Sequence, residues 1–362
     1  MDATPRPTAR LMGVGTATSP DCYSQMDLLD RYGITDLRIR SMFLNSHIER
    51  RFLNLPEPGP NGQPLPETQG QLLDRHRSQG LVMAAEALRR CLESIGATLD
   101  DVRFLACVSS TGWLTPGFTA LLIKHLDMRR DCGRLDVVGM GCNAGLNGLN
   151  PVATWAESNP GQLAVMLCVE VCSAAYVFDG TMRTAVVNSL FGDGAAAVAV
   201  RAGEPSDASA VERSKSGPAL VGYARHLITD AVDAMRYDWD ENHGKFSFFL
   251  DRDVPYVVGA HVERVIDELL GRAGLQRSAV RHWLVHPGGK KVIDAVRVNL
   301  GLTINDLRHT MAVLRSYGNV SSASFLFAYH MLQEEASAIP GDIGVMMAMG
   351  PGSTIEAALL RW

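Results

Sequence analysis

The sequence from Val137 to Trp155 reads VVGMGCNAGLNGLNPVATW. A β-branched run leads through glycines to a segment that can be helical, so the pattern predicts a strand that delivers Cys142 to a helix N-terminus. Unpaired backbone N–H groups and the helix dipole there stabilise a thiolate and lower the thiol pKa. Gly139, Gly141 and Gly145 permit a sharp turn and the close approach of another group. Cys142 is therefore a candidate nucleophile, with a buried structural thiol as the alternative.

The glycines and the other cysteines point to no other site. The glycine spacing is GxGxxxG, and no acidic residue about twenty positions further on ends a second strand, so we exclude a Rossmann dinucleotide site. The seven cysteines form neither a CxxC pair nor a zinc pattern with nearby histidines, so we expect no metal. Cys107 and Cys168 lie in strand-like apolar runs and are predicted to be buried thiols that behave as small hydrophobes.

Length and composition indicate a soluble globular protein of about two units. The 362 residues are 46% apolar and 20% charged, and domains average about 150 residues. The formal charge of -5 provides no global positive field for nucleic acid or an anionic membrane surface. The longest apolar stretch, Leu163 to Phe178, is interrupted by Glu170 and is shorter than the ~20 residues of a membrane helix. The N-terminus lacks the features of a secretory signal, so we expect a reducing cytoplasm and free thiols.

The order of elements is repeated along the chain. An amphipathic helical pattern from Thr68 to Ile95 precedes the buried strand and loop DVRFLACVSSTG, and HVERVIDELLGRAGL precedes VRHWLVHPGG in the same way. Helices that alternate with strands favour an α/β fold. The polar run from Gly203 to Gly217 lies between the two copies. We therefore predict two weakly similar halves, 1–210 and 211–362.

Two polar residues of the second half occupy positions comparable to that of Cys142. His286 follows the apolar run WLV and precedes Pro287-Gly288-Gly289, so a stiff turn holds it at a strand end. Asn319 immediately precedes an apolar helical run, where asparagine is also a common N-cap. In a duplicated frame the three side chains could face one cavity, although structural roles for His286 and Asn319 remain open at this point.

Six motifs in order, GCNAG, LFGDGAAA, RDVP, HPGGKKVID, YGNVSSAS and GPGSTIEAALLRW, resemble the type III polyketide synthase family, the enzymes similar to chalcone synthase. The resemblance covers nearly the whole chain. It implies a thiolase-like fold, in which two duplicated αβαβα halves pack as a five-layered core. It places the nucleophile on Cys142, the catalytic histidine on His286 and the catalytic asparagine on Asn319. It also implies malonyl-CoA as substrate, no cofactor apart from coenzyme A thioesters, and a homodimer.

The resemblance also indicates residues around the reaction chamber. The two phenylalanines of the family fall on Phe191 and Phe248, with Phe249 as the alternative to the second. A threonine that lines the family's cavity falls on Ala175, and Trp113 replaces a smaller residue. The cavity is therefore not expected to be that of a chalcone synthase.

The segment LRIRSMFLNSHIERRF supplies cations for the phosphates of coenzyme A. Two of the three cations of the plant enzymes fall on Ser41 and Asn45, and only Arg38 is kept. Arg38 is therefore the predicted phosphate contact, followed by Arg40, with surface ion pairs as the alternative for both.

Near the N-terminus the chain reads YSQMDLLDRYGITDLRIRSMFLNSHIERRFLNLP, followed by a loop with five prolines to Pro66 and by ETQGQLLDRHR. This stretch resembles the bacterial sub-family that forms 3,5-dihydroxyphenylacetyl-CoA for glycopeptide antibiotics. This implies malonyl-CoA as starter and extender, a product destined for dihydroxyphenylglycine, and accessory proteins similar to enoyl-CoA hydratases. A tetrahydroxynaphthalene or alkylresorcinol synthase is the main alternative. A 3-oxoacyl-ACP synthase III fits less well because its histidine usually lies in an HQAN-like context. A non-catalytic acyl-binding homologue and a cysteine hydrolase are the remote alternatives.

Overall fold

One nine-stranded mixed sheet organises the chain in the computed structural model, which describes residues 7–60, 65–203 and 217–362. The strands are β1 (Ala9–Ala17), β2 (Cys22–Ser24), β3 (Arg50–Phe52), β4 (Val102–Ser109), β5 (Gly133–Val138), β6 (Leu163–Glu170), β7 (Gly194–Ala202), β8 (Ala219–Leu227), β9 (Met235–Asp240), β10 (Lys245–Leu250), β11 (Val280–Val285), β12 (Ile343–Gly350) and β13 (Thr354–Arg361). The large sheet has the order β11-β12-β13-β8-β1-β7-β6-β4-β5, and the pairs β2-β3 and β9-β10 form two small sheets.

Helices cover both faces of this sheet. They are α1 (Gln25–Arg31), α2 (Leu37–Leu44), α3 (Gln69–Ser94), α4 (Phe118–His125), α5 (Ala144–Ser158), α6 (Met182–Asn188), α7 (Val254–Arg272), α8 (Lys290–Leu300), α9 (Arg308–Tyr317) and α10 (Ser324–Glu335). No helix within the described ranges is long and apolar enough to cross a membrane.

The pairing of the strands repeats between the two ends of the sheet. In the first half β4 is parallel to β6, β6 antiparallel to β7, and β7 antiparallel to β1. In the second half β11, β12, β13 and β8 repeat these relations in the same order. The two sets join at β1 and β8, through the pair Arg10 and Ala219. The predicted duplication is confirmed, whereas the boundary near residue 210 lies outside the described residues and stays a prediction.

Two helices at the centre of the molecule are shared by both halves. Helix α5 packs on β4, β6 and β7, and α10 packs on β1, β11 and β12. Their apolar side chains, among them Leu149 and Phe325, belong to one buried cluster. Helix α3 covers the outer face of the first half, and α7 and α8 cover that of the second half. The five layers that the family resemblance implies are therefore present.

The predicted helix after Thr68 begins where its capping residues place it. The Thr68 side chain accepts from the backbone N–H of Gln71, whose side chain accepts from the Thr68 N–H, so two otherwise unpaired donors are satisfied. Cys107 and Cys168 are buried in β4 and β6, as predicted. Local sequence was therefore sufficient to place these elements.

Gly145 lies where α5 meets the turn before α10. A Cβ added at Gly145 would lie 2.5 Å from the Ser322 carbonyl oxygen and 2.4 Å from the Phe325 ring, so the predicted close approach is confirmed. We expect Gly145→Ala to lower the free energy of unfolding by about 1–3 kcal/mol, because the packed neighbours have to move. Urea denaturation measures this. Gly271→Ala, where an added Cβ meets nothing within 4 Å, is the matched control and should leave stability unchanged or raise it.

Candidate active site

Cys142 lies in a single turn between β5 and α5. Gly139 and Gly141 adopt positive φ angles of 85° and 75°, which reverse the chain after the strand. The short helical turn Gly141–Asn143 then leads into α5. The Cys142 side chain is buried, and its Sγ lies 3.5 Å from the Ser321 hydroxyl oxygen of the other half. The predicted placement of this thiol at a helix N-terminus is confirmed.

Asn319 is held beside Phe191 by its backbone. Its N–H donates to the Leu190 carbonyl at 2.9 Å, and its carbonyl accepts from the Gly192 N–H at 3.0 Å. The side-chain oxygen accepts from the Ser321 N–H at 2.8 Å, which identifies the oxygen end of the amide. The Nδ2 group is therefore the end that can donate to a ligand. Because Ser321 contacts both Asn319 and Cys142, the two predicted catalytic residues belong to one site.

His286 begins the loop after β11. Its N–H continues the pairing with β12 by donating to the Met347 carbonyl at 2.8 Å. The loop then passes Leu190, since a Cβ added at Gly289 would lie 3.6 Å from that side chain. The imidazole is buried, and its Nδ1 has no hydrogen-bond partner among the residues described. A nitrogen without a partner leaves the ring free to exchange a proton with a ligand.

Burial determines the ionisation of the thiol and of the imidazole. It raises the pKa of Cys142 to about 12, while the hydrogen bond with Ser321 lowers it. It also lowers the pKa of His286 to about 3. Taken singly, each group is neutral at pH 7, so burial opposes the lowered thiol pKa that the sequence predicted. Charge can arise only if a partner compensates it.

The two predicted phenylalanines lie in the same apolar cluster as the thiol. Phe191 and Phe248 are buried in the same apolar cluster as Cys142, and their ring centroids are 6.2 Å apart in a T-shaped arrangement. Alternation along β10 turns Phe249 the other way, where the guanidinium of Arg236 lies 4.4 Å above its ring. Phe248 is therefore the inward residue of the pair.

Two family descriptions cover most of the chain. The N-terminal domain of chalcone and stilbene synthases matches residues 2–205, and the C-terminal domain matches residues 226–362. The chain belongs to this family of type III polyketide synthases. A 3,5-dihydroxyphenylacetyl-CoA synthase of Streptomyces toyocaensis is 60% identical over 358 residues, which cover 99% of this chain and 90% of the relative.

More distant relatives agree with the family and the fold. A 1,3,6,8-tetrahydroxynaphthalene synthase of Streptomyces peucetius subsp. caesius is 33% identical over 356 residues, which cover 96% of this chain and 92% of the relative. The crystal structure of PKS-I from the brown alga Ectocarpus siliculosus has a TM-score of 0.90 and 25% identity, and all of both chains is covered. The thiolase-like fold expected from the motifs is confirmed.

The structure also places the two other predicted chamber residues of the polyketide synthase. Ala175 is partly buried and packs against the apolar cluster of Cys142. Trp113 is 45% exposed and lies over Phe246 and Tyr237, with ring centroids 4.5 Å and 5.6 Å apart. The structure thus places Ala175 next to the thiol cluster and Trp113 at its more exposed margin.

The predicted phosphate contacts lie on α2. Arg38 is exposed, and its guanidinium makes no ion pair within the described part of the chain, whereas Arg40 donates to the Ile34 carbonyl at 3.0 Å. The nearby Arg51 is buried and donates to the carbonyl of Phe191 at 2.7 Å and to the side chain of Gln25 at 2.8 Å. Arg51 therefore has structural partners, whereas Arg38 and Arg50 are exposed cations of this segment.

Glu170 is a buried carboxyl group that sequence reasoning missed as part of the site. It ends β6, and its oxygens accept from the Ser110 N–H at 3.0 Å and from the hydroxyl of Ser322, the neighbour of Ser321. Its charge also raises the pKa of Cys142. The interruption of an apolar strand by a lone acid was the signal that could have revealed it.

Burial raises the pKa of Glu170 from 4.5 to about 7. Between these pH values the unfolded chain loses the Glu170 proton while the folded protein retains it. The free energy of unfolding should therefore fall as pH rises through this window, by up to about 3 kcal/mol, since one pKa unit corresponds to about 1.4 kcal/mol. Urea denaturation at several pH values should show a flatter dependence for Glu170→Gln, and equal slopes would contradict the assignment.

A cavity of about 400 Å³ adjoins the aromatic cluster. Tyr176 lines it and also packs on Phe191 and Phe248, with ring centroids 4.2 Å and 5.2 Å apart. This buried tyrosine gave no signal in the sequence because it lies in an ordinary apolar run. Tyr176 therefore belongs to the apolar cluster of Cys142 and also lines the cavity.

Three side chains of metal-ligand type also border this cavity. Atoms of Asp179, Asp240 and His243 lie within 4.8 Å of one another. The His243 ring already bonds Asp240 at 2.7 Å, and Asp179 accepts from the N–H and hydroxyl of Thr181. These groups therefore have partners of their own, and we assign them no metal.

Proposed function

We propose that this type III polyketide synthase converts malonyl-CoA into 3,5-dihydroxyphenylacetyl-CoA. The observation that carries the proposal is the 60% identity, over 99% of this chain, to a synthase of that name. The identity to the tetrahydroxynaphthalene synthase is 33%, which makes that product the second candidate. The grouping of Cys142, Asn319 and Ser321 supports the chemistry that follows.

Acylation of the enzyme begins at Cys142. We propose that its proton moves to His286, so that both charges arise together and attract each other. The N-terminus of α5 and the Ser321 hydroxyl further stabilise the thiolate. The sulfur attacks the thioester carbonyl of the starter, the bond to the coenzyme A sulfur breaks, and the departing thiolate takes the proton from His286.

Extension requires an enolate. A second malonyl-CoA loses carbon dioxide, and the electron pair of the broken carbon–carbon bond becomes an enolate at the thioester. The Nδ2 group of Asn319 and the ring of His286 donate hydrogen bonds to the enolate oxygen, as in an oxyanion hole. The enolate carbon attacks the acyl group on Cys142, and the cysteine leaves as a thiolate ready for reloading. The malonyl starter also loses its carboxylate as carbon dioxide, and further rounds give a tetraketide. Its terminal methyl carbon attacks the ketone nearest the thioester, one water leaves, and the two remaining ketones enolise to give the dihydroxyphenyl ring.

Incubation of the purified protein with malonyl-CoA alone tests the function. We expect release of carbon dioxide and a product with the mass of 3,5-dihydroxyphenylacetyl-CoA. With Cys142→Ala we expect simple decarboxylation of malonyl-CoA but no condensed product. A tetrahydroxynaphthalene product would favour the second candidate. If malonyl-CoA is neither decarboxylated nor condensed, the enzyme proposal is wrong.

Other expectations accompany this proposal. Arg38 contacts the phosphates of coenzyme A, the protein is a homodimer, and hydratase-like proteins assist product formation. Coenzyme A thioesters are the only cofactor-like molecules required. The cytoplasmic location is supported by the seven cysteines, all of which are free thiols.

A further inference from the structure

A buried carboxylate of the second half reaches the turn that carries Cys142. Glu356 lies on β13 and is 6% exposed. Its Oε1 accepts from the side-chain amide of Asn143 at 3.0 Å and from that of Asn147 at 3.2 Å. Asn143 directly follows the nucleophile, and Asn147 lies one turn further along α5. Two hydrogen bonds to one carboxylate oxygen thus connect the C-terminal half to the start of α5.

The backbone of the second half closes the other side of this turn. A Cβ added at Gly350 would lie 2.3 Å from the Asn143 side-chain oxygen and 3.0 Å from the Cys142 nitrogen. Gly350 has an extended backbone, with φ of -161°, so it is the space and not the conformation that requires glycine. Gly141 directly precedes Cys142, and a Cβ added there would lie 2.1 Å from the ring of Pro351. The turn therefore has little freedom to shift.

The two hydrogen bonds that Glu356 accepts position different parts of the chain. A hydrogen bond to a charged acceptor is stronger than one to a neutral acceptor, and removing it costs most free energy when the site is buried. The Asn143 oxygen has no hydrogen-bond partner among the described residues, so its Nδ2 bond to Glu356 is the polar contact that orients this side chain. The Asn147 bond, in contrast, holds the body of α5.

We propose that Glu356 is a positioning residue that fixes Cys142 through Asn143. We call Glu356, Asn143 and Gly350 the clamp. Through it, the second half, which also carries His286 and Asn319, determines the position of the nucleophile. The inference rests on the proposed role of Cys142 as nucleophile. A displacement of about 1 Å at a reacting atom can cost about 100-fold in rate.

The test compares variants on the two bonds. We expect Asn143→Ala and Glu356→Leu to slow acylation of Cys142 by malonyl-CoA by about 10- to 100-fold in rapid-mixing mass spectrometry, with KM changed less than about threefold. Glu356→Gln should restore acylation to within about threefold of the wild type, because Oε1 alone accepts both bonds. Asn147→Ala is the matched control, since it removes the other bond to the same oxygen and should keep the wild-type rate.

A second readout separates this inference from the proposed function. Alkylation of Cys142 by iodoacetamide needs no malonyl-CoA. Its rate should fall in Asn143→Ala and Glu356→Leu and stay close to that of the wild type in Glu356→Gln and Asn147→Ala. If Glu356→Leu does not fold, Asn143→Ala and Gly350→Ala still probe the clamp. Wild-type alkylation in Asn143→Ala, or an equal loss in Asn147→Ala, would overturn the clamp. A wild type that is never acylated would instead overturn the proposed function.

Discussion

Replacing His286 by glutamine is expected to slow alkylation of Cys142 at pH 7 by at least about 100-fold. Burial raises the pKa of the thiol to about 12, and thiolate content falls tenfold for every pH unit below the pKa. In the wild type we expect the proposed transfer of the proton to His286 to supply the thiolate. Glutamine keeps much of the volume and the hydrogen-bonding capacity of histidine but cannot accept that proton.

The measurement is the rate of iodoacetamide labelling between pH 5 and pH 10, followed at Cys142 by peptide mass spectrometry. The wild type should show a plateau around neutral pH, whereas His286→Gln should show a rate that still rises near pH 10. The exposed Cys22 is an internal reference and should react equally in both proteins. Equal labelling of Cys142 at pH 7 in the two proteins would show that no ion pair forms.

Local patterns in the sequence were sufficient to place the predicted catalytic residues. A glycine-rich turn after a strand positions Cys142, a strand end positions His286, and the start of a helical run positions Asn319. The repeated order of helices and strands predicted the duplicated halves. Each of these features depends on residues within a few positions of one another, so a single sequence carries them.

Contacts between the halves could not be predicted in this way. The bond between Cys142 and Ser321 joins positions 179 residues apart, and that between Asn143 and Glu356 joins positions 213 residues apart. Their proximity depends on the registers of β12 and β13 and on the packing of α5 against α10, which no local pattern specifies. The same limit applies to the burial that raises the thiol pKa, because its depth follows from packing between the halves.

Replacing Asn319 by alanine is expected to slow decarboxylation of malonyl-CoA by about 100- to 1000-fold. The loss of one donor from an oxyanion hole typically costs ~2.7–4 kcal/mol of transition-state stabilisation. The hydrogen bonds that tie Asn319 to Leu190 and Gly192 come from its backbone and survive the substitution. The fold should therefore persist, and circular dichroism should match that of the parent protein.

The assay is best performed with Cys142→Ala as the parent, because ionisation of the thiol then plays no part and acetyl-CoA reports each decarboxylation. Asn319→Asp separates the two ends of the amide, since its carboxylate can still accept from the Ser321 N–H but presents no Nδ2 donor. If donation to the enolate is the role of Asn319, alanine and aspartate should both be slow. If Asn319 serves only to hold the turn at Ser321, aspartate should retain the parent rate, and the proposed oxyanion hole would lose this donor.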